Sequence, residues 1–236
     1  MEVKRRLIVH EEAKSPVAEA YRVLRTNLQF CQADTTIKSI LFSSAGPGEG
    51  KSTTVANAAV ALAQTGKTVV LVDCDLREPV QHRLFNLERK GVTNYLTQGG
   101  DLNTVLQASE VDGLSIITSG PIPPNPSELL GSAKMQQFLN KLYEQFDYVL
   151  MDAPPIVAVT DAAVLASRVD GVVMVVDAGS VRPEMAQQAK LLLTAAHANL
   201  LGVVLNRVEI EEEHSYYYYY YGSEHEKHKG KGRKQA

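Results

Sequence analysis

Residues 39–54 read SILFSSAGPGEGKSTT, and the fold class follows from the order of residue types in that stretch. Ile40-Leu41-Phe42 is an apolar run that suits a buried strand. Gly46-Pro47-Gly48-Glu49-Gly50 then turns the chain, and Lys51-Ser52-Thr53-Thr54 opens a helix. Strand, small-residue turn and helix start make a phosphate cradle. Glycines let backbone N–H groups converge on oxygens, the helix N-terminus adds positive potential, and a lysine neutralises the outer phosphates. Ser52 is placed to put its hydroxyl on Mg²⁺. The pattern G-x-x-x-x-G-K-[ST] is met except at its first position, where Ala45 stands. The plainer reading, a Gly-rich turn carrying a surface lysine, leaves the flanking strand and helix patterns unexplained.

Composition sets the limits around this loop. The 236 residues are 44% hydrophobic, enough for one α/β domain to bury a full core. A net charge of −3 argues against a nucleic-acid surface. Two cysteines, Cys31 and Cys74, are too few for a disulfide framework and are not spaced as a metal knuckle, so a reduced cytoplasmic setting is expected. Lys4-Arg5-Arg6 is followed only by Leu7-Ile8-Val9 before His10-Glu11-Glu12. That is no signal-peptide core, and no apolar run elsewhere approaches the ~18–20 residues of a membrane span.

Along the chain, residues 1–16 read as an irregular lead-in and Val17–Phe30 as a helix with Tyr21, Leu24 and Leu28 on one face. An Ala-rich helix, Val55–Gln64, closes on Gly66. Apolar strands follow at Thr68–Val72, Gly113–Ser119, Asp147–Met151, Gly171–Val176 and Leu201–Leu205. Between them lie helices that start at Ser127 as N-cap, at Asp161 and at Pro183. Strands alternating with helices imply a doubly wound, mostly parallel sheet with its chemistry at the carboxyl ends of the strands. Residues 1–208 therefore read as one P-loop domain and residues 209–236 as a disordered tail. The tail holds Glu209, Glu211, Glu212 and Glu213, then six consecutive tyrosines, Tyr216, Tyr217, Tyr218, Tyr219, Tyr220 and Tyr221, and a basic end.

Strand ends deliver Asp73 and Asp75 from one strand and Asp152 from another towards the phosphate loop. A lone strand-end aspartate is usually a turn former. Three beside a P-loop suit the outer shell of a nucleotide-bound Mg²⁺, with Ser52, Asp75 and Asp152 as its nearest groups. A tyrosine hydroxyl has a pKa near 10, so an acceptor tyrosine benefits from a carboxylate, Asp73 or Asp75, that takes its proton during attack. Asn206, after the last strand, reads either as an amide contact to adenine or as a turn former. Glu19, Arg22 and Arg25 recur every third residue, and on spacing alone they make a solvated helix face.

Taken together, these motifs resemble the bacterial tyrosine kinases (BY-kinases) of capsule and exopolysaccharide synthesis, in their separate cytoplasmic form. The resemblance runs from about residue 15 to the end. It rests on the Walker A loop Ala45–Thr53, on Val70-Leu71-Val72-Asp73-Cys74-Asp75-Leu76-Arg77, on the Walker B strand Val149-Leu150-Met151-Asp152, and on the tyrosine cluster. It implies ATP and Mg²⁺ as cofactors, Lys51, Asp73, Asp75 and Asp152 as catalytic residues, and Tyr216–Tyr221 as autophosphorylation sites. It also reassigns Glu19, Arg22 and Arg25 as an E-x-x-R-x-x-R oligomerisation motif that closes a homo-oligomeric ring. The partners it implies are a transmembrane chain-length regulator that recruits the kinase to the inner face of the plasma membrane, a cognate tyrosine phosphatase, and protein substrates of polysaccharide synthesis. Partition and cell-division ATPases share the fold, but their signature lysine, five residues before the catalytic one, is Gly46 here. An ATP-switched scaffold without transfer activity is the remaining alternative.

Overall fold

The computed structural model describes residues 7–31 and 37–208; the acidic run and the tyrosine cluster lie outside the described residues. In chain order the elements are α1 (Ile8–Glu11), α2 (Pro16–Phe30), β1 (Ser39–Ser44), α3 (Lys51–Ala63), β2 (Val69–Asp73), α4 (Gln81–Leu84), α5 (Val92–Gln98), β3 (Gln107–Ala108), β4 (Leu114–Ile117), α6 (Pro126–Gly131), α7 (Ala133–Gln145), β5 (Tyr148–Asp152), α8 (Asp161–Ala166), β6 (Gly171–Asp177), α9 (Pro183–Ala195) and β7 (Leu200–Asn206).

The strands form one sheet in the order β3-β4-β2-β5-β1-β6-β7. Every pairing is parallel except the short antiparallel β3–β4 edge. β1, β2, β5 and β6 are buried along their whole length, which is why they read as unbroken apolar runs rather than alternating ones. Helices cover both faces. α1, α2 and α3 pack on one side with Ile40, Phe42, Leu71 and Leu150. α5, α7, α8 and α9 pack on the other with Leu41, Val70, Val149 and Met151.

Several expected boundaries move, each for a local reason. The lead-in is not wholly irregular: Ile8–Glu11 forms one turn and buries Val9, whose N–H donates to Asn57 Oδ1 at 3.0 Å. The helix opened at Lys51 and the Ala-rich run from Val55 are one element, α3, which starts where Gly50 (φ 90°) completes the loop. Ser127 is not an N-cap. The helix expected there is two, α6 and α7, broken at Ser132, whose hydroxyl accepts from Met135 N at 3.2 Å and caps the second. The edge strand β3 and the short helices α4 and α5 have too few residues to show a period.

Gly91 is a residue that only a close approach explains. A Cβ built there would fall 1.6 Å from the Thr118 carbonyl oxygen, and Val92 N donates to that oxygen at 2.8 Å. The α7 core is tested most directly at Phe138, which is fully buried with its ring 4.9 Å from that of Tyr95. Phe138→Ala should cost about 3–5 kcal/mol of stability in chemical denaturation, the usual range for emptying a packed aromatic site.

Candidate active site

All the expected chemistry gathers at the carboxyl edge of the sheet, because parallel strands end there together. β1 opens into the loop that leads to Lys51. β2 and β5 are neighbours in register, so that Asp73 stands directly beside Asp152. Asp75 follows two residues past β2, and Asp177 and Asn206 end the neighbouring strands β6 and β7. Asp73 and Asp152 are fully buried, and Asp75 is 3% exposed.

Lys51 sits in the middle of these acids. Its Nζ donates to Asp75 Oδ2 at 2.8 Å, to Asp152 Oδ1 at 3.3 Å and to Ser52 Oγ at 3.2 Å. Burial pulls the lysine pKa down, but Asp152 and Asp75 outweigh it and hold the ammonium above its ordinary value. Asp73 moves the other way for a carboxylate. Burial and the neighbouring Asp152 push it well above the usual aspartate value, against the opposing hydrogen bond from Gln81 N. Its Oδ2 accepts from Val80 N at 3.1 Å and Gln81 N at 3.0 Å, so it fastens the start of α4. Between the two acids lies Cys74, fully buried, with its thiol pKa pushed up by burial and by Asp73.

The loop itself is held from the β6–β7 side. Glu49, 3% exposed, accepts from Gly46 N and, at 3.2 Å, from Asp177 N. Asn206 Nδ2 donates to the Glu49 carbonyl at 2.8 Å, and Arg207 pairs with Asp177. Any side chain at Gly50 would strike Asn206, because a Cβ there lies 2.2 Å from Nδ2. The outer rim is open: Pro47 and Gly48 are exposed, and nothing lies within 4 Å of a Cβ built on Gly48.

Residues 36–231 match a known family model, ParA (NUBPL iron-transfer P-loop NTPase). The chain is 44% identical over 205 residues to the tyrosine-protein kinase YwqD of Bacillus subtilis (strain 168), covering 86% of each. It is 40% identical over 207 residues to the putative tyrosine-protein kinase CapB of Staphylococcus aureus, covering 87% of this chain and 91% of the relative. The crystal structure of the chimerical protein CapA2B2 superposes with a TM-score of 0.83 at 40% identity, covering 86% of this chain and 90% of that one. The chain belongs to the bacterial tyrosine kinases.

Two residues make contacts at the site that the sequence did not reveal, one outside every motif and one at the end of the Asp73–Arg77 motif. The first is Gln81 on α4, fully buried. Its Nε2 donates to Asp152 Oδ2 at 2.8 Å and to the Ser52 carbonyl at 3.1 Å, tying the Walker B strand to the phosphate-loop helix. Its Oε1 is buried with no protein partner. The second is Arg77, which holds buried Asp161 through Nε at 2.9 Å and Nη2 at 3.0 Å, while Ser127 also donates to Asp161. Arg77 N in turn donates to Asp75 Oδ1 at 3.3 Å.

The remaining expected residues lie elsewhere. Glu19, Arg22 and Arg25 are on α2. Arg22 pairs with Glu19 at 2.7 Å, and Arg25 Nη1 reaches the Ala61 carbonyl at 3.5 Å near the far end of α3. Thr53 stands on the first turn of α3, where its carbonyl accepts from Asn57 Nδ2 at 2.9 Å.

The Arg77–Asp161 pair makes a stability prediction. Burial raises the Asp161 pKa, but hydrogen bonds from Arg77 and Ser127 outweigh it and leave the carboxyl below its usual value. Its contribution is therefore present above the unfolded aspartate pKa and lost as pH falls through the lower folded value. Removing one partner of a buried pair costs about 3–5 kcal/mol; the Arg77 side chain is 41% exposed, so a screened value of about 1–3 kcal/mol is expected for Arg77→Met. The double variant with Asp161→Asn should lose less than the sum of the singles when unfolding is followed by urea titration.

Proposed function

We propose that the chain is an ATP-dependent protein-tyrosine kinase that modifies Tyr216–Tyr221 and acts on capsular or extracellular polysaccharide synthesis. The family membership supports the reaction class. The observation that carries the residue assignment is the Lys51 ammonium shared by Asp75 and Asp152 beside in-register Asp73.

The arrangement fits a nucleotide better than a bare metal. Among the described residues no group of three or more His, Cys, Asp or Glu is arranged to hold an ion by itself. The acids converge on Lys51 and Ser52, at a loop whose Gly48 side is open. The unpaired Gln81 Oε1 supplies a buried acceptor on the same floor. ATP would lie on residues 46–53, with Mg²⁺ held by Ser52 and supported by Asp75 and Asp152. The ion, when bound, offsets negative charge on the phosphate oxygens. Lys51 exchanges its carboxylate partners for the outer phosphates. Asn206 lies on the base side, its Nδ2 already engaged by Glu49 and its Oδ1 available to an adenine amino group.

In the transfer, the tyrosine Oη forms a bond to the γ-phosphorus while the bond to the bridging oxygen breaks and ADP leaves. The phenolic proton goes to a carboxylate. We assign that role to Asp75, whose Oδ2 becomes available once Lys51 turns to the phosphates, and a structural one to Asp73, whose carboxylate is held by the N–H groups of Val80 and Gln81. Gln81 acts as a positioning residue by fixing Asp152.

The same reading carries the finer expectations. Residues 1–208 form the kinase domain and 209–236 its substrate tail. Transfer runs between subunits of a ring closed through Glu19, Arg22 and Arg25, and a phosphatase reverses it. Recruitment to the inner membrane face is by a transmembrane regulator; among the described residues no helix is long and apolar enough to cross a membrane.

Label transfer from γ-labelled ATP tests the reading. Lys51→Met and Asp75→Asn should each lower tail labelling by at least about a hundredfold, in line with loss of a charge-stabilising or proton-accepting group, while circular dichroism still shows a folded chain, Lys51→Met at reduced stability because it leaves Asp75 and Asp152 without their cation. Normal labelling by a folded Lys51→Met chain would overturn the assignment. ATP hydrolysis without labelling would favour a partition-type ATPase, and nucleotide binding with neither would favour a scaffold. In light scattering, Arg22→Ala with Arg25→Ala should convert the oligomer to monomer; an unchanged oligomer would return α2 to a solvated face.

A further inference from the structure

Two adjoining segments at the carboxyl edge hold side chains that the transfer reaction does not use. One is α4 and the loop after it, where Arg83, Arg89 and Lys90 are exposed. Among the described residues none of the three is in a salt bridge. Glu78 and Glu88 lie in the same stretch, but the charges that bear on His82 are those of Arg89 and Arg83, which together with burial lower its pKa. The other segment is the loop after β4, Gly120-Pro121-Ile122-Pro123-Pro124-Asn125. It presents Pro121, Ile122 and Pro124 to solvent, with Ile122 58% exposed. Three prolines fix its backbone, so an apolar ledge stands there at little entropic cost.

These segments are contiguous. Arg89 Nη2 donates to the Gly120 carbonyl at 3.1 Å, setting a guanidinium against the start of the ledge. At its other end Ser127 bonds Asp161, which holds Arg77, and Arg77 N bonds Asp75. The surface is thus apolar along the loop, cationic along one edge, and joined by hydrogen bonds to the proposed proton acceptor.

Topology gives the site two sides. β1 and its phosphate loop, with β6 and β7 beyond, take the nucleotide, its base towards Asn206. β2 carries Asp75, and β4 with its ledge lies on the opposite side from the base. An acceptor in line with the leaving ADP comes from that side. The segment with matching chemistry is in this chain: Glu209, Glu211, Glu212 and Glu213 followed by Tyr216–Tyr221. Carboxylates suit the unpaired guanidinium and ammonium groups, and tyrosine rings suit proline and isoleucine surfaces.

Resting on the kinase reading above, we propose that the Pro121–Asn125 loop with Arg83, Arg89 and Lys90 is the acceptor-docking surface, and that it receives residues 209–221 of a second copy. The reach of the chain favours a second copy over the same one. β7 lies five strands from β4, about 24 Å at ~4.8 Å per strand. The eight residues from Val208 to Tyr216 span at most roughly 26–29 Å when fully extended. A chain's own first tyrosine would have to run straight across its phosphate loop to arrive.

The test mixes two full-length chains: a donor whose six tyrosines are Phe, and a Lys51→Met acceptor. Arg83→Glu with Arg89→Glu in the donor should raise the KM for the acceptor at least tenfold with little change in kcat; the same pair in the acceptor should have no effect. An acceptor carrying Glu211→Lys, Glu212→Lys and Glu213→Lys should recover the lost affinity. An unchanged KM, or loss without recovery, would overturn the proposal. Arg83→Glu alone and Ile122→Asp keep the test intact if the Arg89 change unfolds the donor. Anisotropy of a labelled 209–221 peptide against the Lys51→Met chain reads docking without transfer. Binding that weakens at least tenfold on charge reversal supports the surface even if no chain transfers phosphate, which would sink the kinase reading alone. Equal binding by a scrambled peptide of the same composition would overturn it.

Discussion

One ammonium group makes the carboxyl edge of this sheet tenable. Parallel pairing of β2 with β5 sets Asp73 against Asp152 in the same register row, and Asp75 closes in from the following turn. Three buried carboxyl groups this close repel strongly, since charge interactions in a protein interior are several times those in bulk water. Lys51 answers two of them directly, and Asp73 is held by backbone N–H groups instead. The lysine that the phosphate loop requires is thus also the cation that lets the strands end in acids. Fold and site share one electrostatic solution.

A second set of contacts makes the phosphate loop part of the far half of the sheet. Glu49 lies inside the loop, yet its carboxylate takes the N–H of Asp177, and its carbonyl takes the amide of Asn206. Those are the last residues of β6 and β7. The loop is braced by the two strands at that edge of the sheet, and the chain leaves β7 towards residue 209 from the same brace.

How far the sequence could be read depended on whether a residue's role has a local signature. The phosphate loop, the strand-end aspartates and the alternation of strands and helices were legible, because buried parallel strands and glycine turns leave unmistakable local patterns. Gln81 was not: its place comes from a four-residue helix whose first N–H groups are captured by Asp73, a contact no spacing encodes. Asp161 was readable as a helix start but not as the buried partner of Arg77, which is 84 residues away in sequence. The break at Ser132 was hidden because α6 and α7 together keep an apolar face. Asn206 was ambiguous between base contact and turn, and its amide bonds the Glu49 carbonyl. Glu19 and Arg22, which spacing alone puts on a solvated helix face, pair with each other within α2.

Cys74 gives the arrangement a chemical consequence of its own. Its sulfur lies in the sheet interior between the two aspartates that follow the β2 apolar run, fully shielded, with a thiol pKa well above its usual value. Oxidants and alkylating agents react with thiolates that they can reach, and this sulfur is neither ionised nor reachable. The other cysteine, Cys31, is exposed at the end of α2. The sulfur beside the carboxylates therefore stays reduced under conditions that modify accessible thiols.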